Sequence, residues 1–405
     1  EETEYSVLLA QAKSKMSLSG KIDYFQPLTL IELQKGFLDE KTIIVEYFLG
    51  EQKSFLMSIA KNDYRVYSLP PAEKMNDLVG SYLKMLSYDN ESGFQAQETA
   101  KRLYRELLFP LEEIETKTFE NLVIIPDGIL YYLPFETLIA EDEFLIKKYA
   151  ISYAPSSSSL AVLTERRAES EGKFLLAFGN PVYSRDKDEN SGEANSEVNF
   201  LRDLYLNQGF RFSPLPYSEI EVSEIAKYFP AEEIDVYVRE SAKEEIIKSS
   251  SLKKYKIIHF ACHGFVDEKF PFRSALVLTL DEDDKEDGFL QAREISNLCL
   301  EADLIVLSAC QTGKGKLERG EGVLGLPRIF FYSGAKSILT SLWEINDKST
   351  SEFMNFFYRF LSQGKSKAQA LREAKLEMLS TEYNHPYYWA SFVLNGDYTS
   401  SICFD

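Results

Sequence analysis

The chain is poor in the residues that most often carry chemistry. Its 405 residues include only 4 Cys, 3 His and 2 Trp. Cys262, Cys299, Cys310 and Cys403 are unevenly spaced and form no CxxC pair, which argues against a disulfide scaffold and against the spaced thiolates of a structural zinc module. No uncharged apolar run approaches the roughly 18 residues that span a bilayer, so no transmembrane helix and no membrane partner are expected. Glu1 to Ser6 lack the basic and apolar regions of a signal peptide, and the few cysteines fit a reducing cytoplasm. Starting at Glu1 instead of Met, the chain reads as a fragment of something longer. Positive charge is short as well. Lys and Arg total 45 against 64 Asp and Glu, a formal net charge of −19, which argues against a directly bound nucleic acid because phosphate recognition rests on clustered cations. The acidic balance suits a solvated surface, or attraction of basic partners.

What is present points to a packed fold. Hydrophobic residues make up 44% of the chain, with 28 Phe and 24 Tyr, and the length allows one large or two medium domains. Thr42–Leu49 and Lys53–Ala60 read as a hairpin, with a third strand at Asp63–Leu69. Helices are expected at Ala72–Leu86 and Gln95–Leu108, then a strand at Leu122–Ile125, a Pro-Asp-Gly turn, and a short strand leading into a helix. From Phe174 onward, short apolar strands alternate with amphipathic helices. That pattern predicts βαβ units and a mostly parallel sheet covered on both faces. At Thr350–Leu361, Phe353, Phe356, Phe357, Phe360 and Leu361 follow helical spacing and read as one buried face. Gly364 ends that helix and Ser366 caps the next, at Lys367–Leu379. Another helix is expected after Gly320. Asp281–Gly288 (DEDDKEDG) reads as an exposed acidic loop.

Two strand ends break from apolar runs into polar and glycine residues: KIIHFACHG (Lys256–Gly264) and DLIVLSACQTG (Asp303–Gly313). Ligands in open α/β sheets bind at the carboxyl ends of strands, so His263 and Cys310 are candidates to sit side by side. A thiol is mostly protonated at neutral pH and reacts as the thiolate. An imidazole within reach takes that proton and later hands it to a leaving amine. The backbone N–H groups of Gly264 and Cys310 are candidate donors to the developing oxyanion. Two other readings stand beside this one. A Cys ending an apolar strand is often plain core, and a zinc site could be drawn from His259, Cys262, His263 and Cys310. The second conflicts with strand geometry, which turns Cys262 away from both histidines.

HFACHG followed by LSACQTG resembles the CHAT family, caspase-like domains usually joined to tetratricopeptide repeats. The resemblance continues through Gly320–Asp347, Phe353–Lys375 and His385–Asp397, and upstream through IIPDGILYYLPFETL, YAISYAPSSSSL and LLAFGNP. In all it covers roughly Thr42 to Asp397. The family groups with caspases and separases, which cleave proteins through a His–Cys dyad. The resemblance therefore implies a cysteine endopeptidase with His263 and Cys310 as its dyad, a protein substrate, and no metal or organic cofactor. It also implies gating by a repeat region or a regulatory partner. Residues 1–41 become a helical linker at the end of a truncated repeat region, 42–155 a supporting, inactive caspase-like subdomain, and 156–405 the catalytic one. Against the caspase signature, Ser308 stands where Gln is usual, which moves the expected specificity away from Asp. SLWEINDK (Ser341–Lys348) resembles the separase segment whose Asp receives an arginine. Asp347 takes that position, with Ser341 and Trp343 flanking the substrate backbone. Asp347 has a second reading, as a carboxylate at the start of a helix. The rival to the enzyme is a catalytically silent caspase-like scaffold or signalling module.

Overall fold

The computed structural model describes residues 27–87, 93–109, 119–165, 172–183, 212–267, 269–280, 286–308, 316–318 and 322–402. A meander opens the fold: β1 (Thr42–Phe48), β2 (Ser54–Ala60) and β3 (Asp63–Leu69) pair antiparallel. Helices Ala72–Leu86 and Gln97–Leu108 follow, and then β4 (Asn121–Ile125) lies parallel to β1. The strand expected after the Pro-Asp-Gly turn is replaced by two 3₁₀ turns, Gly128–Tyr132 and Phe135–Thr137. Asp127 explains the change. Its carboxylate accepts from its neighbour's N–H at Gly128 and from Leu49 N–H, which curls the chain back onto the β1 end. A small clip of β5 (Ile139–Ala140) and β6 (Glu143–Phe144) leads to β7 (Ala150–Tyr153), parallel to β4.

The second run of strands is β8 (Leu175–Gly179), β9 (Ile234–Val238) and β10 (Ile257–Ala261), all parallel. After β10 the chain departs into a separate antiparallel sheet of β11 (His263–Phe265), β12 (Ala275–Val277) and β13 (Phe289–Gln291). It returns as β14 (Leu304–Leu307), passes a hairpin of β15 (Lys316–Glu318) and β16 (Gly322–Leu324), and ends in β17 (Ser337–Ser341) and β18 (Phe392–Gly396). That hairpin precedes helix Leu326–Ser333, which starts later than the glycine signal at 320 implied because Pro327 sets its first turn. Among the described residues the main sheet has 11 strands in the order β3-β2-β1-β4-β7-β18-β17-β14-β10-β8-β9. The expected mostly parallel α/β architecture is therefore present. The antiparallel pairs are confined to the opening meander and the β17–β18 pair.

Both sheet faces are covered, as central parallel strands require. In β10, Ile257 and Ala261 face helices Pro216–Ala226 and Asp347–Ser362. Ile258 and Phe260 face the opposite layer, with Glu244–Ser249, Ala292–Ile295 and Leu326–Ser333. In helix Asp347–Ser362 the buried stripe is Phe353, Met354, Phe357, Tyr358 and Leu361. Phe356 and Phe360 lie at its rim under the Arg359 guanidinium, 5.1 and 4.8 Å from their ring centres. The stripe thus turns toward Tyr358, whose hydroxyl has a buried partner in His259. Helix Lys367–Met378 is capped as the sequence predicts, with Ser366 accepting from Gln369 N–H.

Strands β7 and β18 join the two runs through the pair Tyr153↔Asn395. A buried ion pair reinforces this junction. Lys375 Nζ lies 2.6 Å from Glu136 Oε1, both fully buried, and Tyr153 Oη donates to the other oxygen of Glu136 at 2.6 Å. No helix among the described residues is long and apolar enough to cross a membrane.

Candidate active site

The site forms where β10 leaves the main sheet. Cys262 turns into the core with Ile258 and Phe260, and one residue later His263 emerges at the strand's carboxyl end. It stands opposite Val277 in the small sheet, with Gly264 opposite Leu276. Helix Pro216–Ala226 comes close to the same edge because β8 ends in Gly179. A Cβ there would meet Ser218 O and Val222 Cγ2, each at 2.7 Å. Asn180 then locks the approach. Its side chain accepts from Leu215 N–H, and its N–H donates to Ser218 Oγ at 2.7 Å.

This approach delivers the Ser213 carbonyl to the histidine. His263 Nε2 donates to Ser213 O at 2.8 Å, and the ring packs on Tyr183 and Phe212 at centroid distances of 4.9 and 5.5 Å. Its own N–H donates to Tyr183 Oη. A carbonyl can only accept, so Nε2 carries the proton and Nδ1 holds the lone pair in the neutral ring. Burial pushes the imidazole pKa below the usual 6.5. The Ser213 carbonyl and the charge of Glu344 oppose that shift without cancelling it. His263 is therefore a neutral imidazole near pH 7, oriented with its lone pair on Nδ1.

Strand β14 runs parallel to β10, with Leu307 opposite Phe260, and so ends at the same edge of the sheet. Cys310, with residues 309–315, lies outside the described residues. Ser308, which occupies the place of the usual Gln, is buried at the strand end.

Asp347 is the first residue of its helix, and Asn346 is the cap. The helix begins three residues earlier than Thr350, the start read from the sequence. Asp347 also reaches across to a second helix. Its Oδ2 accepts from Tyr217 N–H at 2.8 Å, at the start of helix Pro216–Ala226, which has no side-chain cap of its own. Burial raises its pKa to about 6; the Tyr217 and Ser218 N–H groups lower it, and the charge of Glu221 adds to the rise. Among the described residues no Lys or Arg pairs with Asp347, and neighbouring Lys348 turns instead toward Glu382 at 3.8 Å. Ser341 is buried at the end of β17, opposite Phe392. Trp343 is nearly buried, and its indole N–H donates to Tyr387 O at 2.9 Å.

The structure removes His259 from the reactive set. It is fully buried, with Nδ1 at 2.9 Å from Tyr358 Oη and Nε2 at 2.7 Å from Glu221 Oε1. Neither nitrogen is open to a metal, and Cys262 faces the opposite layer, so the drawn zinc set does not converge. Three carboxylates, Glu244, Glu286 and Glu294, do converge elsewhere. The cation among them is Lys248, whose Nζ lies 2.7, 2.5 and 2.8 Å from these three in turn. Glu244 also accepts from Gly288 N–H. At the described end of the acidic run, Glu286 and Gly288 are thus tied to Lys248 and Glu244; residues 281–285 of the expected exposed loop lie outside the described residues. The orienting carbonyl of Ser213 escaped sequence reading entirely, since a main-chain acceptor leaves no residue-type signal. Glu344 and Glu221 were missed as well.

The CHAT domain model matches residues 97–397, well over half of the chain. The chain belongs to the CHAT family. It is 27% identical to human tetratricopeptide repeat protein 28 over 316 residues, covering 68% of this chain and 12% of that protein. The mouse protein of the same name is 26% identical over 316 residues. The CHAT chain thus spans about an eighth of the length of these curated relatives. Among solved structures, the Saccharomyces cerevisiae separase–securin complex aligns over 99% of this chain and 32% of the matched chain, with 12% identity and a TM-score of 0.51. That likeness is one of fold, and it places the CHAT chain among caspase-like architectures.

Proposed function

We propose that this CHAT chain is a cysteine endopeptidase that cleaves a protein substrate through His263 and Cys310. The observation that carries the reading is His263 itself. It is a half-buried neutral imidazole at a strand's carboxyl end, its Nε2–H fixed on the Ser213 carbonyl and its Nδ1 left as the base. In this mechanism Nδ1 takes the Cys310 thiol proton, and the thiolate adds to the scissile carbonyl. The N–H groups of Gly264 and Cys310 stabilise the oxyanion. Collapse breaks the C–N bond, His263 returns the proton to the leaving amine, and a thioester remains on Cys310. Water, deprotonated by His263, then hydrolyses the thioester and restores the thiol.

For specificity we infer a basic residue before the scissile bond, Arg or Lys, received by Asp347. A half-buried carboxylate with no cationic partner among the described residues supports this. The segment Ser341–Trp343 would align the substrate backbone beside it in strand-like pairing. Residues 42–155 act as the supporting, inactive subdomain in this reading, and 156–405 as the catalytic one. Activity is gated by a tetratricopeptide-repeat region or a regulatory protein, a suggestion that draws on the named relatives. The exposed thiol of Cys299 suits a reducing cytoplasm.

The test is cleavage of a peptide library by the purified chain beside its Cys310→Ala and His263→Ala variants. Cuts after Arg or Lys that vanish in both variants support the reading. Equal cleavage by wild type and Cys310→Ala overturns it.

A further inference from the structure

His263 owes its tautomer to a main-chain carbonyl, so whatever holds that carbonyl bears on the ring. Ser213 stands in the stretch 212–216, which has prolines at 214 and 216. Neither proline has an N–H, and each pushes the residue before it toward an extended backbone. Leu215 N–H is therefore the first amide after Ser213 by which the stretch can be tethered. Helix Pro216–Ala226 follows without a side-chain cap of its own. On the other side of Ser213, Phe212 packs on Tyr183 and Phe289 at centroid distances of 5.8 and 6.0 Å.

Asn180 supplies the tether. It follows the last residue of β8 and adopts φ 46°, in the left-handed region that non-glycine residues rarely enter and that Asn tolerates best. Pro181 comes next, and a residue before proline ordinarily stays extended. Such a conformation persists only where surrounding contacts over-determine it. The contacts fall on three residues of one turn. Asn180 Oδ1 accepts from Leu215 N–H at 3.2 Å, Nδ2 donates to Glu219 Oε2 at 2.9 Å, and the main-chain N–H donates to Ser218 Oγ at 2.7 Å. Ser218 Oγ donates in turn to Leu215 O at 2.8 Å, so both main-chain polar groups of Leu215 are engaged. A peptide N–H can only donate and a carboxylate can only accept, so the position calls for a side chain with one acceptor and one donor. A carboxamide has both.

We propose that Asn180 is a positioning residue for His263. Its carboxamide fixes Leu215, and through Leu215 the Ser213 carbonyl that selects the Nε2–H tautomer. The inference rests on the endopeptidase reading for its effect on turnover, whereas the tautomer is observable without any turnover. Asn180 acts at one remove from the ring, so its loss should disturb the direction of the lone pair on Nδ1 more than the affinity for a peptide.

Two readouts separate positioning from a general structural role. In the first, the full chain carrying Cys310→Ala and nitrogen-15-labelled histidine is observed by NMR near pH 8, with the His263 ring assigned by its loss in His263→Ala. The parent is expected to show one neutral tautomer, protonated on Nε2. Asn180→Gly keeps the left-handed backbone at no steric cost, and it should show a mixture of both tautomers. Asn180→Asp combined with Glu219→Gln reverses the second bond, the new amide donating to the new carboxylate, while Leu215 N–H keeps its acceptor. That double variant should return the single tautomer. The Glu219–Arg239 pair given up in it, at 3.7 Å and partly exposed, contributes little. In the second readout, the chain with Cys310 intact turns over a fluorogenic peptide with Arg before the scissile bond. Asn180→Gly should lower kcat by about 10²-fold with KM within about twofold, and the double variant should regain most of that loss. A single tautomer in Asn180→Gly, no single tautomer in the parent, or a double variant as mixed as Asn180→Gly overturns the assignment. Tautomers that behave as expected in a chain that cuts no peptide count against the endopeptidase reading alone.

Discussion

His263 and Asp347 sit at the same edge of the sheet, yet burial acts on them in opposite senses. Both shifts favour the neutral form: the imidazole pKa falls below 6.5 and the carboxyl rises to about 6. In the proposed mechanism the neutral form of His263 is the base, so turnover should fall only as pH drops through a value below 6.5. For Asp347 the charged form is the one that attracts a cation. Binding of an Arg peptide to the Cys310→Ala chain should therefore weaken as pH falls through about 6. Asp347→Asn should bind weakly at every pH and show no such step, which a titration between pH 5 and 8 will read. The stability signs also differ. A raised carboxyl pKa favours the folded state at low pH, and that contribution is lost as pH rises through about 6. A depressed histidine pKa favours the folded state above 6.5 and loses that contribution as pH falls through the lowered value. Asp347→Asn should thus recover some stability near pH 8 while losing peptide affinity.

At the scale of elements, the site depends on how closely strands and helices approach one another. Helix Leu326–Ser333 ends at Gly334, which adopts φ 118° and lies against Leu300, where a Cβ would fall 2.0 Å from the carbonyl oxygen. The next strand is β17, which leads into the Trp343–Asp347 segment. Gly334→Ala should cost on the order of 1–3 kcal/mol from backbone strain alone, measured by urea denaturation. It should also weaken peptide binding, because the strand carrying that segment shifts with it. An unchanged denaturation midpoint would show that the contact relaxes freely. Most of these elements were legible in the sequence, because their apolar periods matched the layers they enter. The opening meander and the two long C-terminal helices are examples. The 3₁₀ turns after Ile125 were not, since they depend on Asp127 reaching Leu49, a contact 78 residues away. The tilt of the phenylalanine stripe toward Tyr358 was hidden for the same reason: its cause is a buried histidine on another element.

For the whole molecule, one continuous sheet carries two runs of strands, and their junction is narrow. The β7–β18 pair is reinforced by Lys375 and Glu136, both without solvent contact. Removing one partner of a buried ion pair leaves an uncompensated charge and costs roughly 3–5 kcal/mol. Lys375→Met should lower stability by about that amount, and Lys375→Met combined with Glu136→Leu should regain much of it, as read by chemical denaturation. A single variant as stable as wild type would mean the junction does not rely on the pair. The sequence could not announce this contact, because Lys375 and Glu136 are separated by 239 residues and each looks like an ordinary surface charge. The candidate site was half legible. His263 and Asp347 stood out by residue type and motif, whereas the Ser213 carbonyl and the acids at 221 and 344 became visible only once helix Pro216–Ala226 was seen against Gly179.

Proteolysis through Cys310 makes a prediction for the cell. It is tested most directly by profiling new protein N-termini in cells holding the full-length wild-type protein or its Cys310→Ala variant. Termini that follow Arg or Lys are expected with wild type and should be absent with the variant. Identical profiles in the two cell populations would contradict it.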